Sequence, residues 1–364
     1  MHKRLKFSSL AAAAALLIGA QGSAVRADDI TVVSWGGAYT KSQIEAYHKP
    51  FTKKTGININ SVDFNGGLAE VRAQVETGNI TWDVVDVGLS ASIRGCDEGI
   101  LERIDPKKLP PALDGTPAVD DFIEGALPDC AVANIVWSMV AAFDKSKFAD
   151  AAPKTMADFF DLKTFPGKRA MRKTPTTNLE MALIADGVAA SDVYKVLATP
   201  EGVDRAFAKL DIIKDQVVWW EAGAQPPQLL ADGEVVMTTA YNGRIFNAVA
   251  QEKKPFEIIW DGQVMALDLW VIPKGTKNLK AAMDFVSFST DTQRLADQAK
   301  YISYGPARKS SSKLIGKHEE SGIDVLPHLP TAPANLKNAV LENAGWWADH
   351  EDDLNERFNA WLVK

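Results

Sequence analysis

From Ile30 onward the chain alternates short β-branched runs with segments of helical period, and this alternation restricts it to largely parallel sheets wrapped by helices. Ile30-Thr31-Val32-Val33-Ser34-Trp35 reads as a strand. Ile44, Tyr47 and Phe51 then recur at helical spacing until Gly56, and Ile57 to Val62 alternates as a second strand. Leu68, Val71 and Val75 mark another helix that ends at Gly78. Trp82-Asp83-Val84-Val85-Asp86-Val87 is a further strand, leading into a helix from Ser90 to Ile100. The expected class is α/β, with a doubly wound sheet.

The pattern resumes after an irregular excursion. Residues 101–130 carry Pro106, Pro110, Pro111, Pro117 and Pro128 and little periodicity, whereas Ala131 to Phe143 reads as a long strand. Thr155 is an N-cap candidate with Asp158 three residues later. A strand at 168–171, helices at 178–186 and 202–214, a strand at 217–219, a helix at 225–232 and a strand at 235–239 make a second α/β unit. Gln263 to Ile272 is another strand closed by Pro273, followed by helices at 278–290 and 291–299 and a helical segment from Asn335 to Leu362. The economical reading is two α/β lobes joined by strand crossings, with ligands gathered at the loops beyond the strand ends. The length of 364 residues agrees, at ~100–200 residues per domain.

The first 27 residues set the expected compartment. His2, Lys3, Arg4 and Lys6 precede an apolar run from Leu10 to Ala20, and Val25-Arg26-Ala27 stands before Asp28-Asp29, the layout of a secretory signal peptide. A membrane anchor needs roughly 20 apolar residues, which this run lacks. No cysteine follows it to accept a lipid, so the exported chain is expected to begin near Asp28 and to be soluble. Cleavage there removes four cations and no acid, leaving 36 basic against 47 acidic residues, a net −11. Such a balance disfavours nucleic acid as a partner. Cys96 and Cys130 survive cleavage, and an oxidising compartment makes them a natural disulfide across the Pro-rich excursion. Structural zinc is the weaker alternative, because His48, His318, His328 and His350 are scattered without ligand spacing.

Enzyme signatures are missing. There is no G-x-S-x-G elbow, no G-x-x-x-x-G-K-[ST] and no G-x-G-x-x-G; Gly36-Gly37-Ala38-Tyr39-Thr40-Lys41-Ser42 resembles a phosphate loop in composition only. The ten tryptophans say more. Most fit core packing, but Trp35 and Trp220 each end a strand and begin a Gly-containing loop, where an aromatic face can hold a cation or an aliphatic chain.

Several segments together carry a family resemblance. The export signal, Val33-Ser34-Trp35-Gly36-Gly37-Ala38-Tyr39, Asp83-Val84-Val85-Asp86, Ala231-Asp232-Gly233-Glu234-Val235, Tyr241-Asn242-Gly243-Arg244, Ala266 to Pro273 and Ser303-Tyr304-Gly305-Pro306 resemble a periplasmic spermidine/putrescine-type solute-binding protein of an ABC importer. Each segment alone is weak; their order and spacing span essentially the whole mature chain. The resemblance implies the type II periplasmic binding fold, two lobes closing on a small ligand, an inner-membrane permease as partner, a monomer, no cofactor and no catalysis. On that footing residues 28–137 and 270–334 would form lobe 1, 138–269 lobe 2, and 335–364 a C-terminal helical segment.

Carried over residue by residue, the family's site falls on Trp35 and Tyr39, on Leu89 and Ser90, and on Tyr241, Asp268 and Tyr304, with Trp220 and Arg244 beside them. Two departures matter. The acids expected before the second-lobe helix would fall on Thr174-Pro175-Thr176-Thr177, where there are none, and the tryptophan two residues before Asp268 is replaced by Ala266. A polyamine needs several carboxylates or aromatic faces, since a buried unpaired charge costs several kcal/mol. One acid and one guanidinium suit a zwitterion instead: Asp268 for an ammonium, Arg244 for a carboxylate. The favoured ligand is a small ω-amino acid such as γ-aminobutyrate. Alternatives are a polyamine, if Arg244 points outward to a surface acid, and ferric iron, for which Tyr301 and Tyr304 come nearest to the adjacent tyrosines such a site uses.

Overall fold

The computed structural model of the chain describes residues 29–148 and 151–364. The expected signal peptide and cleavage point lie outside the described residues. Among the described residues ten strands form one sheet: β1 (Ile30–Ser34), β2 (Ile59–Asp63), β3 (Val84–Gly88), β4 (Ala131–Asp144), β5 (Arg169–Arg172), β6 (Val217–Trp220), β7 (Met237–Tyr241), β8 (Phe256–Val271), β9 (Gly305–Pro306) and β10 (Val340–Leu341). Their order is β2-β1-β3-β8-β4-β7-β5-β6, with β10 beside β8 and β9 beside β4.

The two long strands organise the rest. β4 and β8 run antiparallel from Ala131 opposite Val271 to Asp144 opposite Phe256. At one end β8 pairs with β3, which continues through parallel β1 and β2; at the other β4 pairs with β7, which continues through parallel β5 and β6. All 14 residues of β4 are buried, which is why its sequence is a largely apolar run without alternation, interrupted only by Asn134, Ser138 and Asp144. Two cores flank the crossing. One gathers Val32, Phe51, Val85, Trp270 and Phe285; the other gathers Phe143, Phe159, Leu183, Met237 and Phe358.

The first helix shows how sequence sets local shape. Gly37–Gln43, a π-turn at Ile44–His48 and Lys49–Thr55 run on without a break. Pro50 has no N–H for the preceding turn and its ring crowds the carbonyl there, so a wider turn, with Lys49 N–H donating to Ile44 O, accommodates it. Thr155 and Asp158 form the expected capping box on Met156–Phe160. The C-terminal reading needs correction. Helix runs only over Ala344–Leu362, because the Asn343 side chain accepts from Trp346 N–H and starts it there; Val340–Leu341 is a strand on β8. Two elements absent from the sequence reading are the helix Asn242–Ala250 and the first half of β8, Phe256–Asp261.

Cys96 and Cys130 are joined, tying the end of helix Leu89–Asp97 to the start of β4. The excursion between them is further pinned by Arg308, whose guanidinium bonds Asp121 and the Pro110 carbonyl and lies 4.3 Å from the Phe122 ring centroid. Cys130→Ala should lower unfolding free energy by about 2–4 kcal/mol in denaturant titrations. Thiol titration of the oxidised, denatured wild type should find no free thiol, and two free thiols would contradict the bond.

Candidate ligand-binding cleft

A cavity of about 630 Å³ sits where the crossing strands meet the loops of both half-sheets. Trp35, Tyr39 and Ser90 line it from the β1–β3 side, Arg172, Tyr241 and Arg244 from the β5–β7 side, and Trp137 and Asp268 from the crossing strands. Of the nine ligand-site residues expected from the sequence, seven are on this wall, and Leu89 is absent from it. Trp220 is absent too, and its role as a ligand-facing aromatic is corrected: it is buried behind Tyr241, ring centroids 5.8 Å apart, and its Nε1 donates to Thr239 O. It supports the wall instead of forming it.

The acidic end is built on two neighbouring strands. Asp268 in β8 lies in register with Gly88 of β3 and Ile135 of β4, and accepts a hydrogen bond from Trp137 Nε1 at 2.8 Å. Trp137 itself stands cross-strand from Ala266, so an indole missing from β8 is supplied by β4. Behind them, Asp86 of β3 takes four donors on one carboxylate oxygen: Ser34 Oγ, Tyr39 Oη, Gln43 Nε2 and Asn134 Nδ2. A register shift in β4 at Asn134 lets that side chain turn toward Asp86. Burial, and then the charge of Asp86, push the Asp268 carboxyl well above the usual carboxylate range. Burial also raises Asp86, against the pull of its four donors.

The opposite charge comes from Arg244, in the first turn of helix Asn242–Ala250. Its Nη1 donates to Gly36 O at 2.8 Å and its Nη2 to Trp35 O at 3.0 Å, so the side chain reaches from the β7 side to the loop after β1. Those bonds use two of its five N–H groups. Nε is buried without a partner among the described residues, as is Trp35 Nε1. The alternative of an outward-facing Arg244 paired to a surface acid is thereby excluded. The close approach needs glycine: at Gly37, φ 57°, an added Cβ would lie 2.6 Å from Arg244 Nη1. Gly66, φ 92°, plays the same part beneath Trp35, where a Cβ would lie 2.4 Å from the indole.

Aromatic rings enclose the space between the charged ends. Tyr39 and Tyr304 meet edge to face at 5.4 Å, and Tyr241 meets Trp137 the same way at 5.1 Å. Sequence reasoning missed Trp137, Arg172 and Glu342 on this wall. Trp137 was legible as the one indole inside a long, mostly apolar strand, and Arg172 as a cation shortly before Thr174-Pro175-Thr176-Thr177, where acids were sought. Glu342 was hidden by the mistaken C-terminal helix. Burial, followed by the charges of Glu180 and Glu351, pushes its carboxyl up to about 8.

Asp268 and Glu342, the guanidiniums of Arg172 and Arg244 and several aromatic rings thus share one cavity. Residues 46–327 match the family of bacterial extracellular solute-binding proteins. The chain belongs to that family. Within it, the gamma-aminobutyric acid-binding protein of Pseudomonas aeruginosa is 45% identical over 364 residues, covering all of this chain and 97% of that protein. Among solved structures, the PBP MotA of A. tumefaciens B6 in complex with glucopine matches with a TM-score of 0.83 at 31% identity, covering 92% of this chain and 99% of that one. A GABA receptor structure matches with a TM-score of 0.78 at 34% identity, covering 92% of this chain and 98% of that one. The fold is accordingly the type II periplasmic binding fold, its cleft between two α/β halves.

Proposed function

We propose that this chain is the periplasmic substrate-binding component of an ABC importer and captures a short zwitterionic amine, γ-aminobutyrate or another ω-amino acid, without catalysis. The observation that carries the reading is that Asp268 and Arg244 line one cavity from different elements, together with Trp35, Tyr39, Tyr241 and Tyr304. An ammonium placed against Asp268 neutralises a buried acid, while the unspent donors of Arg244 take the carboxylate. The names of the relatives point the same way. In this reading residues 28–137 and 270–334 act as one lobe and 138–269 as the other, working as a monomer that hinges on β4 and β8 and presents its ligand-bound form to an inner-membrane permease. Ser90, in the first turn of helix Leu89–Asp97, and Tyr304 complete the enclosure.

The polyamine alternative has one observation in its favour, since Glu342 lines the same cavity without an ion pair among the described residues, whereas Glu221, Glu351 and Asp352 pair with Lys173 and Arg94. Arg172 and Arg244, two lining guanidiniums without an acid partner among the described residues, weigh against it.

A thermal-shift screen of the mature protein against ω-amino acids, α-amino acids and diamines tests the proposal. A ligand at a hundredfold excess over its Kd adds about 2.7 kcal/mol of stability, so γ-aminobutyrate should raise the melting temperature and alanine should not. A shift with diamines alone would overturn the zwitterion reading.

A further inference from the structure

Arg172 is one of four arginines that line the cleft: Arg72 and Arg94 are ion-paired to Glu98 and to Glu351 and Asp352, and Arg244 bonds the loop after β1. Arg172 ends β5, where its carbonyl accepts from Asn178 Nδ2 at 2.7 Å and from Thr174 N–H at 2.9 Å, so the backbone below the side chain is fixed. Its neighbour Lys173 pairs with Glu221 at 3.0 Å, whereas the Arg172 side chain has no ion pair or hydrogen bond among the described residues. Instead its guanidinium carbon lies 5.9 Å from the Trp35 ring centroid and 5.8 Å from that of Tyr241. Both distances are within reach of a cation–π contact. Trp35 belongs to the loop after β1 and Tyr241 to the end of β7, so one resident cation covers an aromatic face from each side of the cleft.

We propose that Arg172 is a specificity-determining residue: by occupying the faces of Trp35 and Tyr241 with the protein's own cation, it denies them to the second ammonium of a diamine. The inference rests on the reading of Asp268 as the ammonium site. With the first ammonium there, a diamine's far end would need another acid or an aromatic face. The Trp35 and Tyr241 faces are taken, and a distal ammonium that reaches them meets Arg172, with Arg244 on the same wall. A carboxylate at that end is attracted by the same two groups. Selectivity thus comes from a repulsive element as much as from an attractive one. Glu342, on the same wall, is the acid that a diamine would exploit once Arg172 is gone.

Calorimetric titration of wild type, Arg172→Gln and Arg172→Lys with γ-aminobutyrate and with putrescine decides the matter, read as the ratio of the two affinities. Arg172→Gln should shift that ratio toward putrescine by about tenfold or more, the scale of a desolvated cation–π contact. Arg172→Lys keeps the charge and should keep the wild-type preference. Arg172→Met, which retains an apolar stem, replaces the Gln variant if that one does not melt cooperatively. A ratio unchanged in the neutral variants, or shifted equally in Arg172→Lys, overturns the proposal. Wild-type protein that ignores γ-aminobutyrate while Arg172→Gln still gains putrescine would sink the ω-amino-acid reading and leave this one standing.

Discussion

Arg244→Ala should weaken γ-aminobutyrate binding by about two to four decades, the equivalent of the 3–5 kcal/mol expected when one partner of a buried charge pair is removed. The size follows from where the group sits. Arg244 is only 4% exposed, so a carboxylate delivered there has shed its water and depends on the guanidinium for replacement donors. The same truncation removes the bonds to Trp35 O and Gly36 O, loosening the loop that carries Trp35. Arg244→Lys separates the two effects. A lysine retains the charge but cannot bond two carbonyls and a carboxylate from one planar fork, so it should recover part of the affinity and little of the loop's order. Putrescine, with no carboxylate, should be spared or improved by Arg244→Ala. Calorimetry with both ligands checks the difference, and equal losses for the two would remove Arg244 from the carboxylate end.

Asp268→Asn should cost a similar amount for both ligands, since each presents an ammonium to that carboxylate. It should also change the pH profile. In the wild type, burial and Asp86 raise the Asp268 carboxyl, so on the acid side of its shifted pKa the group is protonated before ligand arrives. An ammonium favours the ionised form. Binding therefore expels a proton in that range, and affinity must fall as pH is lowered through the raised pKa. The asparagine variant has no such proton to release, so its weaker binding should lose this dependence. Titrations in buffers of different ionisation enthalpy measure the proton directly. Equal pH dependence in wild type and Asp268→Asn would locate the titrating group elsewhere, with Glu342 the first suspect.

Much of this architecture was legible because its signals are local. β1, β3 and β4 announce themselves as β-branched or mostly apolar runs, and Thr155 with Asp158 as a cap; each depends on neighbours within a few positions. The site residues Trp35, Tyr39, Ser90, Tyr241, Arg244, Asp268 and Tyr304 were reached through a family resemblance, and the structure brings them to one cavity. What stayed hidden depends on pairing across the chain. Trp220 has the same sequence signature as Trp35, yet parallel pairing of β6 with β5 turns it behind Tyr241. Trp137 joins the site only because β4 lies in register with β8 at Ala266. Val340 and Leu341 form a strand only because an open stretch of β8 at Val264 and Met265 accepts them, which brings Glu342 to the cleft. The Asp86 cluster needed a bulge at Asn134 that no spacing rule reveals.

The central claim is that one cavity reads both ends of a zwitterion, and the most direct test is a calorimetric comparison of γ-aminobutyrate with butyrate, butylamine and putrescine on the wild-type protein. Each of the first two competitors keeps a single charged end. If Asp268 and Arg244 act together, γ-aminobutyrate should bind at a single saturable site, with butyrate and butylamine each weaker by about two decades or more and putrescine no stronger than butylamine. Tight binding of putrescine with no detectable heat from γ-aminobutyrate would contradict the account and return the cleft to a polyamine.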